Sequence, residues 1–218
     1  SPRQYRAFIS YSHSADGRLG PALQNGLQQF GKPWYRRRAL RIFRDQTGLA
    51  VTPDLWGSIE RALANSEYLI LLASPAAAAS KWVQQEVEWW LRHRSADHLL
   101  IVLTEGHLAW DAAASDFDWA TTTSLPRQLE RVFANEPLHV DLRWAETETD
   151  LSLRRPQFAD GVARLAATLH GKSLDDLIGD DVRQHAAAVR LIRAGVGVLV
   201  LLTVLAVFTA VIALRARR

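Results

Sequence analysis

The sequence predicts an α/β fold: a flavodoxin-like, doubly wound, five-stranded parallel sheet, followed by a single transmembrane helix. Two observations predict the sheet. Short, wholly apolar runs alternate with segments of helical periodicity, and strands that are covered on both faces have that composition. The alternation also implies right-handed crossovers between neighbouring parallel strands. A third observation, a charge-free run near the C-terminal end, predicts the membrane span.

The N-terminal elements can be placed in order along the chain. Residues 5–10 are a buried strand, and the leucines from Leu19 onward recur at helical spacing until Gly31 and Pro33 end that helix. The next helix is expected to be capped by Thr52, with Pro53 in its first turn. The remaining elements here are a strand at 41–43, a strand at 68–73, a helix capped by Ser80 with Val83, Val87 and Trp90 or Leu91 facing inward, and a strand at 99–103.

The following third of the chain has weaker patterns. Residues 105–124 lack periodicity and are predicted to be a long loop with about one helical turn. Residues 125–133 resemble a short helix, and 138–142 resemble an edge strand. Apolar residues at helical spacing between Phe158 and Leu169 predict a last helix, which Gly171 ends.

The composition excludes several classes of function. A net charge of +3 gives little support for a nucleic-acid partner. The chain has no cysteine, so it cannot form disulfides or use thiol chemistry. Its 7 histidines show no metal-ligand spacing, and no metal site is expected. A glycine-rich phosphate loop and a nucleophile elbow are also missing, so classical dinucleotide binding and serine hydrolysis are unsupported.

The charge-free run covers residues 194–214, and roughly 20 apolar residues suffice to span a bilayer. A buried core helix is the alternative. We predict a globular domain at 1–170, a polar juxtamembrane linker at 171–193, the span at 194–214 and a basic flank at 215–218. Arginines bracket the span equally, so charge does not set its orientation. We expect the chain to be part of a longer protein.

Trp82 and Glu86 are the most informative pair of residues in the chain. They are four residues apart on the helix that follows Ser80, so they project from one helical face. An acid beside an indole suits a cleft that holds a cationic aromatic leaving group. Glu88 lies roughly 200° further round the helix and is predicted to be solvated. The alternative for Glu86 is an exposed residue that serves only solubility.

The loop after the second strand is a candidate contact surface. It begins with polar residues at Asp45 and becomes apolar toward its end, and exposed apolar loop residues often mark a partner surface. A loop that folds its own side chains inward is the alternative. The residues predicted to mediate self-association are Gln46, Gly48, Leu49, Ala50 and Val51.

Taken in order, these segments resemble a bacterial Toll/interleukin-1 receptor (TIR) domain over roughly residues 3–170. Residues 6–12 are similar to the family's opening box, and 43–53 to its second strand and BB loop. Residues 68–74 resemble its third strand. The pattern Ser80-x-Trp82-x-x-x-Glu86 resembles the helix that bears the family's catalytic glutamate.

The resemblance implies one of two functions. Many bacterial members hydrolyse NAD⁺ between nicotinamide and ribose, so that NAD⁺ is a substrate and no cofactor is needed. Others are non-enzymatic scaffolds that signal by homotypic TIR contacts. The glutamate that separates these classes is present as Glu86 and would be catalytic. By resemblance, the residues that would bind NAD⁺ are Tyr11, Ser12, His13, Phe43, Asp45 and Trp82.

We therefore expect a single-pass membrane protein with a cytoplasmic TIR domain that acts in signalling or defence. Its expected partners are NAD⁺, further copies of itself and the lipid bilayer, with no nucleic acid. The resemblance to bacterial multidomain TIR proteins also implies an additional C-terminal sensor domain after the span. A flavodoxin-like receiver or nucleotide-binding domain is the remaining alternative for this fold. Receivers need clustered acids at the end of the first strand, and Ser10-Tyr11-Ser12 argues against that.

Overall fold

The computed structural model describes residues 3–30, 40–44, 54–171 and 173, and a five-stranded parallel sheet forms its centre. The order across this sheet is β2-β1-β3-β4-β7, while β5 and β6 form a separate antiparallel pair. The strands are β1 (Tyr5–Ser10), β2 (Ile42–Arg44), β3 (Ser66–Ala73), β4 (Leu99–Leu103), β5 (Trp110–Asp111), β6 (Asp116–Phe117) and β7 (His139–Asp141).

Helices cover both faces of the sheet. The helices are α1 (His13–Asp16), α2 (Leu19–Gln29), α3 (Leu55–Ala64), α4 (Pro75–Ala79), α5 (Lys81–His93) and α6 (Pro156–His170). Helices α2 and α6 pack together on one face, and α3 and α5 pack together on the other. The predicted doubly wound parallel sheet is therefore confirmed.

Strand β1 shows how the two cores divide the chain. Ala7 and Ile9 point into the cluster formed with α2 and α6, whereas Phe8 points into the cluster formed with α3 and α5. Successive side chains of a strand alternate between the faces of the sheet. Ser10 therefore continues the direction of Phe8 and points toward α5, at the carboxyl end of the strand.

The helices that follow β1 and β3 pack on opposite faces of the sheet. From β1 the chain passes through α2 to β2, and from β3 it passes through α5 to β4. These two strands are neighbours, so the direction of the chain crossovers switches between them. Ligands of doubly wound folds bind at such a switch point.

Two of the helix termini predicted from the sequence are observed in the structure, and a third is not. Ser80 caps α5 through its Oγ, which accepts a hydrogen bond from Val83 N, and Gly171 ends α6 with φ of 64°, both as predicted. The predicted Thr52 cap is wrong. Asp54 caps α3 instead, because its Oδ1 accepts a hydrogen bond from Gly57 N at 2.9 Å. Thr52 lies outside the described residues.

The region predicted as a long loop contains the β5–β6 hairpin. Trp110 lies opposite Phe117, their rings are edge to face with centroids 5.3 Å apart, and Phe117 is buried. Each strand has only two residues, so no alternation marks it in the sequence. Aromatic packing against the main core therefore stabilises this hairpin.

The helix predicted at 125–133 is a single 3₁₀ turn, Arg127–Leu129. Arg131 has φ of 56°, in the left-handed region, and its backbone N–H donates to Asp116 Oδ2 at 3.1 Å. A residue in that conformation ends a right-handed helix. The hydrogen bond to the hairpin thus replaces helical hydrogen bonding.

Among the described residues, no helix is both long and apolar enough to span a bilayer. The charge-free run at 194–214 lies outside those residues, as does nearly all of the predicted linker. The membrane span and the domain boundaries therefore stay predictions from the sequence.

Candidate functional site

Glu86 lies in the second turn of α5, near the carboxyl edge of the sheet. Its neighbours Val83 and Val87 pack into the core, and Glu86 itself is only 1% exposed. Ser10 Oγ donates a hydrogen bond of 2.5 Å to Glu86 Oε2. The last residue of β1 therefore holds the carboxyl group of α5 beside the switch point.

This burial removes the alternative in which Glu86 serves only solubility. Removing a carboxylate from water is costly unless hydrogen bonds compensate for the lost hydration, and an apolar side chain would pack here more stably. Buried titratable groups concentrate at functional sites for that reason. Glu88, two residues on, is exposed and forms a surface ion pair with Arg92 at 2.5 Å, as predicted for a solvated residue.

Trp82 provides an aromatic surface one turn before Glu86. Its side chain is 40% exposed, which is unusual for a large apolar group in this domain. Its ring centroid lies 6.4 Å from that of Trp56 on α3, with the planes inclined by 30°. The two indoles form a partly exposed aromatic pair between α3 and α5.

Tyr11 occupies a different environment. It is 2% exposed and belongs to the core cluster on the α2 and α6 face. Arg44 Nη1 donates a hydrogen bond of 2.6 Å to its hydroxyl, and its ring centroid is 4.5 Å from that of His13. Of Tyr11 and Trp82, both predicted to bind NAD⁺, Trp82 is thus the one that solvent reaches in this structure.

The other predicted substrate-binding residues are spread along the same edge. Ser12 is buried, with its Oγ 2.9 Å from Ser14 Oγ, while His13 is exposed at the start of α1. Phe43 is half-buried and stacks on Phe8 with ring centroids 5.3 Å apart. Asp45 and the five residues of the predicted self-association loop lie outside the described part of the chain.

Two residues at the carboxyl edge of the sheet were not predicted from the sequence as site residues. Ser10 contacts Glu86, and the signal that could have found it is the period-2 alternation that places Ser10 on the face of Phe8. The second is Asp16, at the end of α1, which is 3% exposed. Its Oδ2 accepts a hydrogen bond of 3.4 Å from Ser74 Oγ. An acid placed soon after a buried strand was the available signal.

Burial raises the pKa of Asp16 from its ordinary value of 3.8 to about 6. The negative charge of Glu105 acts in the same direction, and hydrogen bonds from Thr104 and Ser74 oppose it. Asp16 also lines an open cavity of about 460 Å³ between α1 and the end of β4. In the described part of the chain, no three His, Asp or Glu side chains form a group that could hold a metal ion.

Comparison with known proteins agrees with this architecture. The family model for the TIR domain matches residues 7–133. NAD(+) hydrolase ApTIR from Actinoplanes sp. is 52% identical over 208 residues, which is 95% of this chain. The chain spans only 29% of the length of that relative. On the family match and the parallel sheet together, the chain belongs to the TIR domain family.

Proposed function

We propose that this chain is the TIR region of a membrane-anchored NAD⁺ hydrolase that cleaves the bond between nicotinamide and ribose. The observation that carries the proposal is the buried Glu86 carboxyl, held by Ser10 at the carboxyl edge of the sheet. The 52% identical relative is named an NAD(+) hydrolase, which supports the same activity here. An apolar residue of similar size is often at least as stable as a charged group in a buried position.

The reaction requires stabilisation of positive charge on the ribose. When the glycosidic bond breaks, its electron pair goes to the pyridinium nitrogen, and nicotinamide leaves as a neutral base. The ribose then has oxocarbenium character, and the negative charge of Glu86 stabilises it. Water adds to the anomeric carbon and releases one proton. The Ser10 hydroxyl keeps the carboxyl group oriented during this sequence.

Binding of the pyridinium ring is assigned to Trp82. A cation is attracted to the face of an indole, and Trp56 supports that ring from the neighbouring helix. The attraction weakens once nicotinamide is neutral, which favours its release. Ser12 and His13, on the turn after β1, and Phe43 on β2 are proposed to border the nucleotide. Asp45 is proposed on the family resemblance alone.

Anchoring and self-association form the regulatory part of the proposal. We assign residues 194–214 to a membrane span that follows a TIR domain at 1–170, on the basis of the charge-free sequence. Tethering raises the effective concentration of neighbouring copies, which favours assembly through residues 46–51 and so activation in signalling or defence. A charged substitution, Leu49→Asp, should abolish this association. Undiminished association would remove the loop from the interface.

The test of the activity uses the full chain reconstituted at high density in liposomes. Nicotinamide and ADP-ribose are separated by chromatography after incubation with NAD⁺. Glu86→Gln keeps the size of the side chain and should lower turnover about 100-fold or more. Glu88→Gln, on the exposed face of the same helix, is the matched control and should match the parent. Equal turnover in both variants would remove Glu86 from the mechanism.

A parent chain that associates but leaves NAD⁺ intact would contradict the hydrolase proposal. The chain would then act as a TIR scaffold, the second function that the resemblance implies.

A further inference from the structure

Asp16 joins the turn after β1 to the end of β3. It is the last residue of α1, and its carboxyl group accepts a hydrogen bond from the hydroxyl of Ser74, which follows β3. Asp16 is almost completely buried. The contact therefore crosses the switch point at which the proposed reaction takes place.

The hydroxyl group of Ser74 forms hydrogen bonds with both α4 and Asp16. Its Oγ caps α4 by accepting a hydrogen bond of 3.1 Å from Ala77 N. The hydroxyl hydrogen is then directed to Asp16, and a charged carboxylate makes this hydrogen bond stronger than a neutral acceptor would.

Helix α4 in turn is tied to the helix that carries Glu86. Ser80 ends α4 and caps α5, and Gln84 Nε2 donates a hydrogen bond of 2.7 Å to Ala78 O. A continuous series of contacts thus runs from Asp16 through Ser74 and α4 to α5. On the other side, α1 bears His13 and is preceded by Ser12.

We propose that Asp16 is a positioning residue: its carboxylate ties the turn bearing Ser12 and His13 to the helix bearing Trp82 and Glu86, and the charged carboxylate makes this link strongest. The proposal rests on the proposed function, since it concerns the same site.

The charged groups around Asp16 define how this link responds to pH. Those that border the cavity beside it are His13 and Arg18 on its own segment, Glu105 after β4, and Glu146 in the 3₁₀ helix Arg143–Thr147. Helix α4 contributes no charge. The cavity opens to water, so protons can reach the carboxyl group.

The first measurement is the pH profile of NAD⁺ cleavage by the full chain in liposomes, with Asp16→Asn beside the parent. The parent's kcat/KM should rise about 10-fold between pH 5 and 7, with a midpoint near the pKa of about 6. In Asp16→Asn, kcat/KM should not change with pH and should stay at the value that the parent has at pH 5. The loss relative to the parent at pH 7 should lie mainly in kcat. Asp160→Asn, on the exposed face of α6, is the control and should keep the parental profile.

His13→Gln removes the imidazole that lines the same cavity; it is measured as well and should retain the relative rise in kcat/KM between pH 5 and 7. A parental profile in Asp16→Asn, or a flat profile in His13→Gln, would overturn the proposal.

The second measurement does not depend on turnover. In NMR spectra of the full chain, the indole N–H of Trp82 and the amides of Ser12 and Ser74 should shift together with pH, and Asp16→Asn should abolish these shifts. A Trp82 resonance that is insensitive to pH in the parent would overturn the link. A parent without NAD⁺ cleavage whose Trp82 titrates would instead refute the proposed function and leave the link intact.

Discussion

Replacement of Asp16 by asparagine should stabilise the domain at neutral pH. The carboxyl group is 3% exposed, and its burial raises the pKa from 3.8 to about 6. At 1.36 kcal/mol per pH unit, this rise means that ionising Asp16 costs the folded state about 3 kcal/mol. Asparagine keeps the shape and cannot ionise, so it avoids this cost.

The sign of the effect follows from proton binding. Between pH 4 and 6 the folded state retains the Asp16 proton while the unfolded state has lost it. The contribution is therefore fully present below about pH 4 and is lost as pH rises through about 6. The stability advantage of Asp16→Asn over the parent should grow by up to about 3 kcal/mol across this range and stay constant above it.

The assay is urea unfolding of the full chain in detergent, followed by tryptophan fluorescence between pH 4.5 and 7.5. Asp160→Asn serves as the control, because its side chain is exposed and pairs only with Arg164 at the surface. A difference in unfolding free energy that does not change with pH would refute the argument from burial. Greater stability with lower activity is a combination that a purely structural Asp16 does not produce.

Three other substitutions test the site and its support. Ser10→Ala should lower kcat about 10-fold or more with little change in KM, since Glu86 loses its orienting donor; an unchanged kcat would show that the hydrogen bond is dispensable. Trp82→Ala should raise KM for NAD⁺ about 10-fold, through the lost indole surface, and an unchanged KM would exclude that contact. Gly26→Ala places a methyl group 2.9 Å from Val162 Cγ2 where α2 meets α6, and overpacking should cost about 1–2 kcal/mol in urea unfolding after the gain in helix propensity. Unchanged stability would show that these helices can separate.

The central strands could be predicted closely because their signal is local. The continuous apolar run of β4 matches its predicted bounds, and β1 does as well. The β5–β6 hairpin could not be predicted, since its two-residue strands have no periodicity and form through contacts between Trp110 and Phe117. The start of α3 was misplaced because Thr52 and Asp54 are both good caps, and the choice depends on the contact with Gly57.

The sequence alone determined that Trp82 and Glu86 lie on one face of α5, because the spacing of residues along a helix is a local property. Only the tertiary structure decided that Glu86 is buried, since its partner Ser10 lies 76 residues earlier in the chain. The same is true of Asp16, which meets Ser74 across 58 residues. Such contacts depend on the register of β1 against β3, which brings the carboxyl ends of the two strands to one edge of the sheet.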